Sequence, residues 1–243
     1  MINVNDIILL CRENGIDIDE KTAEKLDLFA EFLLAENEKY NLTALKTPEA
    51  ITLRHFCDSL TPVAHIKSGA KLLDIGSGAG FPAVPIALCR PDVTVTGLDA
   101  TAKKAAFINS AADKLTLANL SAVSGRAEEL ARDCAHKGVY DVVTARAVSA
   151  LRILCELSAR YLKDGGYLIA LKGDPDTTAE EIVEAASTAK AVGLSLEKTL
   201  PLTLTDSKTG ETLSRTLVFM KKTAKTPSAY PRRYAQILKT PIK

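Results

Sequence analysis

Three glycines at alternate positions, Gly76, Gly78 and Gly80, follow the apolar run Lys71–Ile75, which carries a single acid, Asp74. The stretch reads Asp74-Ile-Gly-Ser-Gly-Ala-Gly-Phe-Pro82 and runs on into the helix-forming Ala83-Val-Pro-Ile-Ala-Leu-Cys89. Strand, glycine turn and helix open a doubly wound α/β domain, in which ligands sit outside the carboxyl ends of the strands. Glycine lets the backbone turn tightly and lie flush against a ligand. A dinucleotide fingerprint, G-x-G-x-x-G, aims a helix N-terminus at a pyrophosphate. Here the third glycine comes one residue early, and a carboxylate stands two residues before the first. That acid would repel a pyrophosphate and suit a cationic ligand. S-adenosylmethionine, with an ammonium, a sulfonium and no phosphate, fits the pattern.

Asp99 ends the next β-branched run, 25 residues after Asp74. An acid there can fork onto ribose hydroxyls; it can also cap the helix that follows, and the ribose role does not separate adenosylmethionine from NAD. Arg146 and Lys172 follow the fourth and fifth strand signals, so both fall at the carboxyl edge. Arg126 and Glu128 lie in the loop after the third strand, on the side of an adenine edge, although Glu128 also complements a helix dipole. His55 and Asp58 share one helix face, and neither has an evident role. No Ser or Cys nucleophile is placed to use the histidine.

These residues need a scaffold, and the pattern supplies one. Thr22–Tyr40 has apolar residues at helical spacing behind a cap at Asp19, and Thr47-Pro48 starts a helix to about Leu60. No strand signal precedes Lys71, so residues 1–66 read as a helical extension and 67–243 as the α/β domain. There, strands at Val93–Leu98, Leu120–Val123, Tyr140–Thr144 and Tyr167–Leu171 alternate with helices at Lys103–Leu115, Gly125–Cys134, Ala150–Leu162 and Thr177–Ala191. The last helix is capped near Asp176, and Asp164-Gly165-Gly166 reads as a turn. A hairpin, Leu194–Leu204 with Thr212–Met220, closes the series. The expected sheet is mainly parallel, with an antiparallel strand from the hairpin at or near one edge.

The 243 residues are 47% hydrophobic and 25% charged, as in a soluble globular protein. No apolar run reaches membrane length, and Met1–Asp6 lacks signal-peptide character, so no membrane and a cytoplasmic setting are expected. The five cysteines form no C-x-x-C pair and read as reduced core residues, with no metal site. Net charge is +1, but seven of the 31 Lys and Arg and none of the 30 Asp and Glu lie from Lys221 to Lys243, leaving the first 220 residues net −6. A basic tail on an acidic body points to local contact with a polyanion, or to a merely solvated end. On the first reading, removing the tail weakens polyanion binding and flattens its salt dependence while sparing the cofactor.

Tyr40-Asn-Leu-Thr43, Arg54-His55-x-x-Asp58-Ser59, Asp74–Pro82, Gly125-Arg-Ala-Glu128, Arg146-Ala147, Leu171-Lys-Gly173 and Tyr230-Pro-Arg232 occur together. In combination, from about Asn37 to the end, the chain resembles the bacterial ribosomal RNA small subunit methyltransferase G family. The resemblance implies a class I (Rossmann-like) fold and methyl transfer from S-adenosylmethionine to N7 of one guanine in small-subunit rRNA, naked or in a partly assembled subunit. It implies that Gly76, Phe81, Ala127, Glu128 and Arg146 line the cofactor, with Phe81 filling by apolar packing a position that is Leu in other members. Arg126, Lys172, Arg232 and Arg233 would face RNA, with Arg146 and Lys172 acting by positioning and electrostatics. Arg233-Tyr-Ala-Gln-Ile-Leu238 departs from the glycine-containing tail of many members.

N7 has a free lone pair and no proton to lose, so no general base is expected. With Trp absent, Phe81, Tyr230 and Tyr234 are the candidates for stacking on the target base. A monomer is expected. Two other readings stay open: a class I methyltransferase for a small molecule or protein, and a nucleotide-binding or NAD oxidoreductase module.

Overall fold

The structure, a computed structural model, describes residues 2–45 and 47–242. Met1 and Lys243, which belong to the termini read above, lie outside the described residues. Before any strand come α1 (Val4–Glu13) and α2 (Glu20–Tyr40). Asp19 caps α2 as its type and position predict, its side chain accepting from the Thr22 amide at 2.8 Å. The segment expected as one helix to Leu60 is wound in three ways: α3 (Pro48–Ile51), a π-helical stretch Thr52–Cys57, and α4 (Asp58–Leu60). A π-helix is rare and is often found at functional sites. This one carries Arg54 and His55.

The sheet follows: β1 (Lys71–Ile75), β2 (Thr94–Asp99), β3 (Leu120–Ser124), β4 (Tyr140–Arg146), β5 (Leu162–Lys172), β6 (Leu194–Asp206) and β7 (Glu211–Lys222). Between them run α5 (Ala83–Cys89), α6 (Ala102–Leu115), α7 (Ala127–Leu130), α8 (Leu151–Ser158) and α9 (Pro175–Val192), and α10 (Tyr234–Lys239) comes last. Strand order is β3-β2-β1-β4-β5-β7-β6. The first five strands are parallel, and β7 enters antiparallel between β5 and β6. The order reverses between β1 and β4, so the crevice for a ligand opens at the carboxyl ends of these two strands.

Successive residues on a strand point to opposite faces, and the core divides accordingly. Leu72, Val142 and Ile169 pack with α1, α2, α5 and α6, while Leu73, Val143 and Ala170 pack with α8 and α9. The helices before β1 are therefore one covering layer of the sheet. Phe29 of α2 packs its ring against Phe56, Phe81 and Phe107 at centroid distances of 6.4, 5.4 and 6.3 Å. The change at residue 66 is one of secondary structure, and the core runs across it.

Four local expectations differ. The helix after Gly125 is a single turn, because Asp133 accepts from the Ala135 amide and Gly138 takes φ +65°. α8 stops at Ser158, since Leu162 already pairs with Tyr140. Asp164–Gly166 forms a bulge inside β5, with the register slipping between Tyr140 and Val142. α9 starts at Pro175 and is capped by Asp174, whose side chain accepts from Asp176 N, so Asp176 falls in the first turn.

Candidate functional site

The glycine turn is fastened to the tip of β2. The amides of Gly76 and Ser77 both donate to Leu98 O, at 2.7 and 3.1 Å. Ser77 Oγ donates to Asp74 O at 2.8 Å and accepts from Leu98 N at 3.1 Å. Gly78 N donates to Asp99 Oδ2 at 3.0 Å. Gly76 has φ +71°, and a Cβ there would stand 2.5 Å from Val148 Cγ2. Gly78 has φ +56°, and the nearest atom to a Cβ there would be Gly76 O at 3.8 Å. Gly76 is thus required by packing within the protein, whereas the space over Gly78 is open to a ligand. Gly80 completes the turn at φ +88°.

Asp74 is fully buried beneath this turn, beside Thr144 of β4 in the strand register. Its Oδ1 accepts from Thr144 Oγ1 at 3.0 Å, and its Oδ2 is buried without a hydrogen-bond partner. Burial pushes its carboxyl up to about 7. The acid expected at the strand tip therefore supports the turn from below and is not open to the crevice. Asp99 also holds the turn: Oδ2 takes Gly78 N, and Oδ1 takes Thr101 N at 2.8 Å. Each oxygen keeps a second lone pair.

From β4 comes Arg146. Its Nη1 donates to Arg54 O at 2.9 Å and to Asp58 Oδ2 at 3.0 Å, and its Nη2 donates to His55 Nδ1 at 3.1 Å. Asp58 also accepts from Arg215 Nε at 2.9 Å. The His55 ring stacks on Phe81 with centroids 4.2 Å apart, and the Arg146 guanidinium lies 5.2 Å from the Phe81 centroid. With Nδ1 accepting from Arg146, the His55 proton sits on Nε2 and is donated to Thr43 Oγ1 at 2.8 Å. Thr43 is in turn held by Asn37, whose Oδ1 accepts the Thr43 amide. Burial first, and then the Arg146 charge, push His55 down to about 3. It stays neutral at every physiological pH, and its one lone pair is occupied.

The motifs of α2, the π-helix and the glycine turn thus meet at the end of β4. His55 and Asp58, without a role on sequence grounds, are the groups that hold Arg146. Arg215 had no local signal, because it lies on β7 and meets Asp58 only through the fold. Phe81 is buried against His55 and so is not placed to stack on a base. Ala147, after Arg146, takes φ +54°, an unusual backbone for alanine, and the chain then places Val148 over Gly76.

A cavity of about 170 Å³ opens at the tips of β1, β2 and β3, lined by Gly76, Leu98, Ala100, Ala127, Glu128 and Tyr234 among others. A groove of about 710 Å³ shares Arg126, Glu128 and Tyr234 with it and adds Arg132, Arg232 and Arg233. A larger cavity of about 800 Å³ lies between α1 and the tip of the β6–β7 hairpin and is also lined by Glu49 and Thr52.

Two residues expected to face RNA are engaged within the fold. Lys172 Nζ donates to Ser149 O at 3.1 Å and pairs with Glu181 at 2.7 Å. Arg232 forks onto the fully buried Glu156, with Nε to Oε1 at 2.8 Å and Nη2 to Oε2 at 2.7 Å. Nor is the tail from Lys221 a solvated end. Lys222 is buried and donates to Val192 O and Thr226 Oγ1. Deleting residues 221–243 would remove the end of β7 together with Tyr234, so it would not spare the cavity. Arg126 and Arg233 are exposed.

The family described as rRNA small subunit methyltransferase G (GidB) matches residues 22–205. Ribosomal RNA small subunit methyltransferase G of Deinococcus radiodurans is 42% identical over 92% of this chain and 88% of its own length. Its counterparts in Lachnoclostridium phytofermentans and Lactobacillus acidophilus are 37% and 34% identical, over 95% and 99% of this chain and 94% and 100% of their own. Among solved structures, a SAM-dependent methyltransferase from Aquifex aeolicus superposes with a TM-score of 0.54 at 17% identity, over 74% of this chain and 96% of its own. Another from Methanosarcina mazei gives a TM-score of 0.52 at 17% identity, over 68% and 99%. These two show the fold alone, which is that of class I methyltransferases. On the family match and on relatives aligned over nearly its whole length, the chain belongs to the ribosomal RNA small subunit methyltransferase G family.

Proposed function

We propose that this chain transfers the methyl group of S-adenosylmethionine to N7 of a guanine in small-subunit ribosomal RNA, with the cofactor lying across the tips of β1, β2 and β3. The residues present suit that cofactor. The open face of Gly78 leaves room for backbone-close binding, and Asp99 and Glu128 offer acceptors to hydroxyl and amine donors. The Asp99 carboxylate, bonded to Gly78 N, disfavours a pyrophosphate at the same turn. Asp99 would hold the ribose through its remaining lone pairs, while Leu98, Ala100, Ala127 and Glu128 would hold the adenine. When bound, the cofactor supplies an electrophilic methyl group on a sulfonium.

The observation that carries the N7 assignment is the state of His55. Among the described residues it is the histidine at the reversal between β1 and β4, and its lone pair is committed to Arg146. A nucleophile bearing a proton, such as an exocyclic amine or a ribose hydroxyl, would need a base there. N7 brings its own lone pair. Catalysis then rests on in-line positioning and fixed electrostatics, which Arg146 provides because four partners fix its guanidinium: Arg54 O, Asp58, His55 and Phe81. The guanine must be unstacked or single-stranded to enter. Arg126 and Arg233, exposed at the rim, would meet phosphates. Such a ribosomal substrate is cytoplasmic, in keeping with the absence among the described residues of any helix long and apolar enough to cross a membrane.

Incubating the protein with adenosylmethionine and small-subunit rRNA, free or in subunits from a strain lacking the modification, should give one borohydride- and aniline-sensitive guanine, the signature of N7 methylation. Methylation resistant to that cleavage would refute the N7 assignment. Arg146→Lys keeps a charge but cannot reach Asp58, Arg54 O and His55 together; kcat/KM should fall about 100-fold, the cost of roughly 1 Å of misplacement. A loss under threefold would contradict the positioning role. Asp74 has a native carboxyl raised from 3.8 to about 7. Its contribution is therefore fully present below pH 3.8 and declines as pH rises toward 7. Asp74→Asn should show a flatter profile of Tm against pH between about 4 and 7; parallel profiles would contradict the assignment.

A further inference from the structure

Residues 228–240 are strapped onto the methyltransferase body by arginines. Arg132 Nη2 donates to Pro231 O at 2.9 Å, Arg152 Nη1 to Ile237 O at 3.2 Å, and Arg160 Nη1 to Tyr230 O at 2.8 Å and Ser228 O at 3.2 Å. In the opposite sense, Arg232 reaches from the strap into the body and neutralises Glu156, which is 0% exposed. Ile237 is buried against Ile153 and Leu157 of α8. Backbone carbonyls caught by guanidinium donors, a bidentate buried ion pair and an apolar anchor fix α10 in one position.

That position puts Tyr234 at the cavity where the tips of β1, β2 and β3 meet, in a lining it shares with Leu98, Ala100, Ala127 and Leu157. Tyr234 is half-buried, and it also lines the arginine-rimmed groove with Arg126 and Arg233. On sequence grounds it was one of three candidates for stacking on the target base. We infer that Tyr234 instead forms the outer wall of the adenosyl site, so that the cofactor is held in part by the C-terminal strap, and a nucleic acid seated in the arginine groove bears on the same helix. A flat ring at the mouth of an apolar slot suits a purine face. The inference rests on the cofactor placement proposed above.

Calorimetric titration with adenosylhomocysteine and with 5′-methylthioadenosine, which carries the adenosyl end without the amino acid, tests it on the full chain. Tyr234→Ala should weaken both probes by about tenfold or more, the size of a base–aromatic contact, and Tyr234→Phe should stay within about twofold of wild type. An alanine variant within twofold overturns the inference. So does a phenylalanine variant as weak as alanine, which would assign the effect to the hydroxyl. Because the chain has no tryptophan, Tyr234→Trp supplies a single tryptophan that can be excited apart from the tyrosines. Its emission should change on saturation with adenosylhomocysteine, and an unmoved spectrum with ligand bound overturns the inference even if the alanine variant fails to fold. Failure of the wild type to bind either probe would instead count against the cofactor placement itself.

Discussion

A short backbone turn, Gly76 to Gly80, is held in shape by the strand beside it, and the rest of the site is built outward from it. Leu98 O takes two of its amides, Asp99 takes a third, and Ser77 Oγ bridges Asp74 O to Leu98 N. Each such bond contributes only about 1 kcal/mol net, yet together they leave no alternative path for the chain. Left-handed backbone at Gly76 and Gly78 is reached without the steric cost a side chain would add. The turn is rigid because β1 and β2 pair in register from Lys71 opposite Thr94 to Ile75 opposite Leu98. A preformed crook of this kind lets a ligand bind without first ordering the loop.

Beside that crook, two buried carboxylates are each paired with arginine. Asp58, 4% exposed, holds Arg146 and Arg215, and Glu156, wholly buried, holds Arg232. Removing one partner from such a pair costs about 3–5 kcal/mol because the other is left uncompensated, so these pairs enforce one arrangement. The Asp58 pair fixes a guanidinium at the end of β4, where the methyl group is proposed to lie, and that guanidinium takes the lone pair of His55 out of play. The Glu156 pair fixes the C-terminal strap beside the cavity proposed for the adenosyl group. One carboxylate therefore organises each end of the site.

The parts of this arrangement visible in the sequence were those set by neighbours along the chain. The glycine turn, Asp99 at its strand end and the Asp19 cap follow from spacing within a few residues, and the alternation of apolar residues in β6 and β7 marked the hairpin. What was hidden depends on distant partners. Arg232 looked like a free cation because Glu156 lies 76 residues away, and Lys172 looked exposed because Glu181 reaches it only after α9 folds back. His55 and Asp58 stood out as a pair, but their purpose required Arg146, which lies 91 residues from His55. The π-helical winding at Thr52–Cys57 has no periodic signature that a helical pattern would reveal. Asp174 and Asp176 flank one proline, and the cap went to the residue before it, where Pro175 could open the helix.

Placing the cofactor over Gly78 is the claim on which the functional account stands. Its most direct test is titration of Gly78→Val with adenosylhomocysteine, in a protein whose fold is verified by circular dichroism. A branched side chain there would occupy the open face and strain a left-handed backbone, so the account predicts a Kd raised at least about 100-fold, or roughly 2.7 kcal/mol. Affinity equal to that of wild type in the folded variant would show that the ligand lies elsewhere.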